Sequence, residues 1–134
     1  MKNILALFVG LFFFIQYTEA QVYTFKSTAF SVQEKNDGKW GKWSDFKKST
    51  VLISIDGKKD RVVVGSKEVQ LYKIESYGEK KITALDETVA LNCVDNADNP
   101  CTILIITRKN QNNRKQFYVN YNDVRIVYNV YSSN

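Results

Sequence analysis

The stretch Cys93–Thr107, CVDNADNPCTILIIT, decides the fold of this chain. It predicts a β-hairpin, in which one strand ends near Cys93, a polar loop runs from Asp95 to Pro100, and a second strand begins at Thr102. Aspartate is favoured in such loops because its carboxylate accepts hydrogen bonds from the local backbone. The two cysteines stand at the two ends of the loop, where a disulfide could close it.

Apolar and polar residues alternate on both sides of this hairpin, and helical periodicity is scarce. Alternation with a period of two is typical of β-strands, and turn residues such as Asp56-Gly57 separate the runs. A β-bulge near Ser27 reconciles two neighbouring runs of opposite parity. Strands are predicted near residues 22–32, 51–56, 61–64, 69–74, 82–85, 89–93, 102–107, 117–121 and 124–130, of which 82–85 has the weakest pattern.

These strands predict an all-β fold, an antiparallel meander of eight or nine strands. A sheet with this many strands tends to curl, and closure removes its exposed edges. We therefore predict a small closed barrel of lipocalin-like size, with a two-sheet β-sandwich as the alternative. Residues 21–134 would form this single domain, which is long enough for one modest core.

Residues 1–20 predict a secretory signal peptide. Lys2 supplies the positive charge, residues 4–15 form an apolar run that is short for a membrane span, and Ala20 offers a small residue before the cleavage point. The expected location is secreted or periplasmic, with no transmembrane segment after cleavage. The alternative is an uncleaved anchor.

The expected location bears on the oxidation state of the two cysteines. An oxidising compartment favours a disulfide between Cys93 and Cys101, and closing so short a loop stabilises a fold by about 2–3 kcal/mol. The alternative is that both pack as small apolar residues. The chain has no histidine, and two thiolates alone make a poor zinc site, so we predict no metal and no cofactor.

Catalytic patterns are scarce. The absence of histidine removes the commonest general base and the Ser-His-Asp triad, and no phosphate-binding glycine-rich loop occurs. Carboxylate pairs that could serve a glycosidase, such as Asp95 with Asp98, lie in predicted turns, where local hydrogen bonding explains them. We predict a binding protein rather than an enzyme.

A candidate site for a small anionic or glycan-like ligand depends on the topology. If residues 82–85 form a strand, the loop of Trp40, Lys42 and Trp43 shares one end of the meander with the loop that contains Arg108 and Arg114. Aromatic faces beside cations suit such ligands. Otherwise the loops separate, and the tryptophans could instead fill the core. The net charge of +5 is common for a soluble surface, so nucleic acid is not an expected partner.

The C-terminal strands suggest an alternative function. If one parity fills the core, Tyr118, Val127 and Tyr131 face outward. Exposed tyrosines on a sheet are enriched at protein interfaces, although they are also ordinary strand residues. The alternative is therefore a cell-envelope module that binds another protein through this face.

Several longer phrases together carry a resemblance: WGKWSDF (40–46), VLISIDGKKDRVVV (51–64), QLYKI (70–74), CVDNADNPCTI (93–103) and QFYVNYNDVRIVYNV (116–130). In these phrases the chain resembles small exported β-proteins of Bacteroidetes-type bacteria, whose function is not known. The resemblance implies export and a bacterial origin. It includes no catalytic motif and assigns no functional residue.

Overall fold

The computed structural model describes residues 22–133, so the predicted signal peptide lies outside the described residues. Within them, no helix is long and apolar enough to cross a membrane. The regular structure of residues 22–133 is a single sheet of eleven strands. In chain order these are β1 (Val22–Asn36), β2 (Lys39–Trp40), β3 (Lys47–Lys48), β4 (Leu52–Asp56), β5 (Arg61–Gly65), β6 (Val69–Tyr77), β7 (Lys81–Ile82), β8 (Asp86–Asp95), β9 (Pro100–Arg108), β10 (Arg114–Asn120) and β11 (Val124–Ser132).

Eight of these strands form a closed antiparallel barrel in the order β1-β4-β5-β6-β8-β9-β10-β11, and β11 pairs back onto β1. The predicted barrel is confirmed and the sandwich alternative is wrong. Strand β1 is long enough to pair with β4 on one side and β11 on the other, and its register with β11 shifts between Ser27 and Ala29. This shift is the predicted bulge.

The three short strands lie outside the barrel wall. Strands β2 and β3 belong to residues 39–51, here called the strap, which run antiparallel to β1. Among the described strands, β7 pairs only with β8, and it belongs to residues 78–85, here called the arm. The strand predicted at residues 82–85 therefore does not cross the barrel, because its chain folds back directly onto β8.

The core comes from one parity of each strand, as alternation requires. Consecutive pairing across β8, β9, β10 and β11 produces inward-facing layers. One layer contains Val89, Ile105, Phe117 and Tyr128, and the next contains Leu91, Ile103, Val119 and Ile126. Phe117 is fully buried, and its ring lies 6.4 Å from that of Tyr128. Burial of such a side chain contributes about 1.5–3 kcal/mol.

The two ends of the barrel differ. At the end that carries the cysteine hairpin, Tyr72 is buried and Tyr121 packs against the core, so aromatic side chains occupy the interior beneath a shallow hollow that both of them line. The hydroxyl of Tyr121 donates to Asp95 Oδ2 at 2.9 Å, and Asp95 Oδ1 accepts from the backbone of Asn99 at 2.9 Å. We call this the closed end. At the opposite end, called the open end, the wall continues beyond the packed core.

Candidate functional site: a cavity at the open end

A cavity of about 370 Å³ occupies the barrel interior at the open end. Its walls are mostly apolar, with a small polar group near the mouth. The apolar lining includes Tyr23, Phe25, Ile55, Val89, Leu91 and Ile105, and the polar lining includes Tyr77, Lys80, Glu87, Thr107 and Lys115. Protein sites for small ligands commonly combine apolar walls with a few convergent polar groups.

The polar groups of the mouth form a row across three strands. Glu87 pairs with Thr107 across β8 and β9, and Thr107 pairs with Lys115 across β9 and β10. All three have the parity of the core residues, so they face the interior. Lys115 Nζ donates a hydrogen bond of 3.0 Å to Thr107 Oγ1. One layer deeper, Val89 and Ile105 are only half-buried, because the cavity leaves part of their surface uncovered.

The mouth has an excess of positive charge. Lys80 Nζ lies 3.0 Å from Glu87 Oε1. The hydrogen bond from Lys80 lowers the pKa of Glu87, and the charges of Lys80, Lys109 and Lys115 lower it further. Glu87 is therefore ionised at neutral pH, yet it offsets only one of three neighbouring lysines. An anionic group entering the mouth would meet a favourable potential.

Tyr77 stands at the rim of the cavity. Its hydroxyl donates to Asp60 Oδ1 at 2.6 Å, a bond that joins the end of β6 to the loop between β4 and β5. Burial, followed by this hydrogen bond and the charge of Asp60, raises the pKa of Tyr77 to about 12. The ring therefore stays neutral at physiological pH and adds an aromatic surface to the mouth.

The tryptophan part of the predicted site lies elsewhere, on the outer surface near the closed end. The guanidinium carbon of Arg125 is 3.9 Å from the centroid of Trp40, a cation–π contact. The ring of Trp43 meets that of Tyr118 edge-on, with the centroids 6.2 Å apart. Lys42 is exposed beside them. Neither tryptophan fills the core, and neither lines the cavity.

The arginine part of the predicted site lies on the outer wall at the open end. Arg108 pairs with Asp86 at 3.1 Å, and Arg114 donates to Asn129 Oδ1 at 2.9 Å. Arg114 is the first residue of β10 and Asn120 is the last. Asn120 pairs with Arg125, the residue that contacts Trp40. These positions are roughly 20 Å apart at 3.3 Å per residue. The structure therefore separates the predicted ligand residues, because β7 does not cross the barrel.

The strap packs against the outer wall of the barrel, and Trp43 takes part in this packing. Val127 faces outward but is only 3% exposed. Its cross-strand neighbours are Ser31, which bonds to Ser44 of the strap, and Tyr118, which contacts Trp43. The strap thus covers Val127 from outside. The predicted outward orientation of Tyr118, Val127 and Tyr131 is confirmed, and Tyr131 is 51% exposed.

Cys93 and Cys101 lie in the interior at the closed end. They are directly paired across β8 and β9 and are both buried, but the structure does not show the predicted disulfide, because both are free thiols. Burial raises the pKa of Cys93 to about 12 and that of Cys101 to about 11. Such thiols are protonated at neutral pH and are poor nucleophiles.

Sequence reasoning selected neighbours of the residues that face the cavity. Arg108 follows Thr107, and Arg114 precedes Lys115. The alternation of inward and outward residues along each strand could have distinguished Thr107 and Lys115 from the two arginines. Thr107 continues the alternation of Ile103 and Ile105, and Lys115 that of Phe117 and Val119, so both face inward with these core residues.

The fold and the cavity together define a small antiparallel β-barrel that is filled at one end and open at the other. No protein-family model, curated protein or solved structure matches this chain.

Proposed function

We propose that this protein binds a small amphipathic anion in the cavity at the open end and catalyses no reaction. One observation carries the proposal: the uncovered apolar surfaces of Val89 and Ile105 lie one layer below the ammonium group of Lys115. A ligand with an apolar body and an anionic head would satisfy both. This form fits the anionic ligand expected from the sequence better than a glycan, which needs more polar partners than these walls offer.

The polar groups at the mouth favour binding over catalysis. Glu87 is the carboxylate of the lining, and its ion pair with Lys80 keeps it deprotonated. A general acid at neutral pH needs a raised pKa, which is opposite to the shift at Glu87. Lys115 uses one of its three N–H groups to bond Thr107, so the other two can meet an anion. These groups can orient a bound anion.

The test is fluorescence titration with anilinonaphthalene sulfonate, an amphipathic anion. Ile105→Trp places a larger ring in the cavity and should weaken binding at least tenfold, and Val89→Phe should act in the same direction. Leu71→Trp is the matched control, because Leu71 is 43% exposed on β6 outside the cavity. Circular dichroism checks the fold. Unchanged binding by both folded cavity variants would exclude this site.

We also propose that the chain is exported to the periplasm or exterior and carries a Cys93–Cys101 disulfide there. Directly opposed residues of antiparallel strands have Cα atoms about 4.5–5.5 Å apart, which lies within the disulfide range. Mass spectrometry of the exported protein tests both points. We expect a chain that begins at Gln21 and that gains two hydrogens on reduction. An intact N-terminus or two alkylatable thiols would contradict the proposal.

The outer wall supports a second candidate function, a cell-envelope module that binds another protein. Cross-strand pairing places Val69, Leu52 and Tyr131 in one outward row, with Lys26 between the last two. The three apolar residues are 61%, 50% and 51% exposed. Cross-linking in cells with a photoreactive residue at Tyr131 should trap a partner, whereas the same label at Glu75 on β6 should not. Identical cross-linked products from the two labelled positions would argue against a protein-binding surface at Tyr131.

A further inference from the structure

The arm carries two large apolar side chains that the barrel does not cover. Ile82 is 62% exposed and Leu85 is 57% exposed. Both lie beside the mouth of the cavity, because Lys80 at the start of the arm and Glu87 just after it line that mouth. Leaving such side chains in water forgoes the free energy that their burial would contribute.

The backbone of the arm is nevertheless held firmly. The Asp86 amide donates to Thr83 Oγ1 at 2.9 Å, and the Lys109 amide donates to the Leu85 carbonyl at 2.9 Å. Lys109 Nζ also donates to the Thr83 carbonyl at 3.1 Å. At the base of the arm, Gly78 approaches Ala90 so closely that an added Cβ would meet the Ala90 oxygen at 3.1 Å. The turn therefore holds Ile82 and Leu85 in exposed positions, and Ile82 lies opposite Glu87 on the face of the sheet that lines the mouth.

Positive charge surrounds Ile82 and Leu85, here called the apolar tip of the arm. The segments that form the open end, residues 56–61, 79–87 and 108–115, contain nine lysines and arginines and five aspartates and glutamates. The segments of the closed end, residues 34–44, 66–68, 95–99 and 121–125, contain five lysines and arginines and six aspartates and glutamates. The net positive charge of the barrel is thus concentrated around its mouth.

We propose that the open end docks on an anionic lipid bilayer, with Ile82 and Leu85 entering the boundary between headgroups and acyl chains. Lysines of the surrounding loops, such as Lys58, Lys59 and Lys81, would face the lipid phosphates. Apolar side chains flanked by lysines bind anionic interfaces through both burial and charge. This inference goes beyond ligand binding and does not depend on it.

Charge favours a lipid surface over a second copy of the chain. Two open ends placed face to face would bring their lysine-rich loops together, and like charges across an interface oppose association. An anionic bilayer instead offers a continuous field of phosphates to loops that surround the tip on several sides. The docked mouth would face the bilayer, which is a source of amphipathic anions.

The experiment is co-sedimentation with vesicles of phosphatidylglycerol and phosphatidylcholine, compared with vesicles of phosphatidylcholine alone. The chain from Gln21 onward is used, so that the apolar run at residues 4–15 cannot itself insert. We expect binding to the anionic vesicles that weakens with added salt. Ile82→Ser with Leu85→Ser should reduce it at least tenfold. The matched apolar control is Val69→Ser with Leu71→Ser, which removes similarly exposed side chains from the outer wall.

A charge-reversed pair tests the lysines. Lys58→Glu with Lys59→Glu at the open end should abolish most of the binding, whereas Lys47→Glu with Lys48→Glu in the strap should not. Binding that is equal for the arm variant and its control would overturn the proposal. So would a lack of binding by the unsubstituted chain. A lipid-free dimer that the arm substitutions dissociate, without any vesicle binding, would identify a second copy as the occupant and would also overturn it.

The same variants separate this inference from the proposed function. The arm variant should lose vesicle binding and keep its affinity for anilinonaphthalene sulfonate. Ile105→Trp should lose affinity for the probe and keep vesicle binding. Failure of one assay therefore leaves the other result intact.

Discussion

Lys115 and Thr107 face each other across β10 and β9 on the inner wall of the barrel, with Lys115 Nζ 3.0 Å from Thr107 Oγ1. The bond holds the ammonium group at the mouth instead of letting it extend into solvent. Because a hydroxyl is neutral, the charge of Lys115 is not cancelled by this partner. The cation remains available to an incoming anion.

Replacement of this cation should affect charged ligands selectively. Lys115→Met keeps an unbranched side chain and removes the charge, and a hydrogen bond to a charged group contributes about 1.5–3 kcal/mol. We expect anilinonaphthalene sulfonate to bind roughly tenfold or more weakly, with little change for neutral N-phenylnaphthylamine. Lys73→Met, on the exposed face of β6, is the control. Equal losses for the two probes would show that Lys115 acts through packing alone.

Trp43 should contribute to stability and not to binding in the cavity. Trp43→Ala uncovers Tyr118 and Val127, and since the ring is 39% exposed the loss should be roughly 1.5–3 kcal/mol, less than for a fully buried tryptophan. Urea denaturation measures this loss. Phe46→Ala, at a neighbouring strap position that is 49% exposed, should cost less. A loss of probe affinity in folded Trp43→Ala would return the strap to consideration as a ligand site.

The reduced cysteines should react slowly in the folded protein. Because burial raises the pKa of Cys93 to about 12 and that of Cys101 to about 11, the thiolate fraction at pH 8 is very small. We expect alkylation by iodoacetamide to be at least ~100-fold slower than for an unperturbed cysteine, and to reach the ordinary rate in urea. Rapid alkylation without urea would mean that the closed end opens readily. An oxidised pair would not react until reduced.

Alkaline pH should destabilise the barrel through its tyrosines. Burial is the main cause that raises the pKa of Tyr72 to about 12, and it also raises the pKa values of Tyr121 and Tyr128. Since the folded pKa exceeds the unfolded value near 10, this contribution to stability is complete below pH ~10 and is lost as the pH rises toward 12. Urea titrations at several pH values measure the slope. Tyr72→Phe should make it shallower, and an unchanged slope would exclude Tyr72 as a cause.

The hairpin around Cys93 illustrates what could be predicted from the sequence. Local turn chemistry and alternation located its strands to within a few residues, and the structure ends β8 at Asp95 and begins β9 at Pro100. The parity of Tyr118 and Val127 was equally local. Closure was inferred from the number of strands, because no local pattern records that β1 pairs with a strand roughly a hundred residues away.

The site could not be located in this way because it depended on one ambiguous segment. Residues 82–85 have the composition of a short strand, yet the turn at Thr83 folds them back onto β8. That difference decides at which end each later loop lies. Because β7 does not cross the barrel, Arg108 and Arg114 lie at the end opposite Trp40. Their sequence neighbours Thr107 and Lys115 are the groups that face the cavity.

The pairing of β1 with β11 has a consequence for how the chain acquires its shape. Residues 25–34 have no permanent neighbour on one side until residues 124–132 have been synthesised, because those are the residues that complete the ring. A ribosome-bound fragment can form the intervening hairpins but cannot seal the cylinder. The final step therefore joins distant parts of the polypeptide, a topology typical of slow folding. Until it occurs, the first strand presents an open edge to which chaperones can bind.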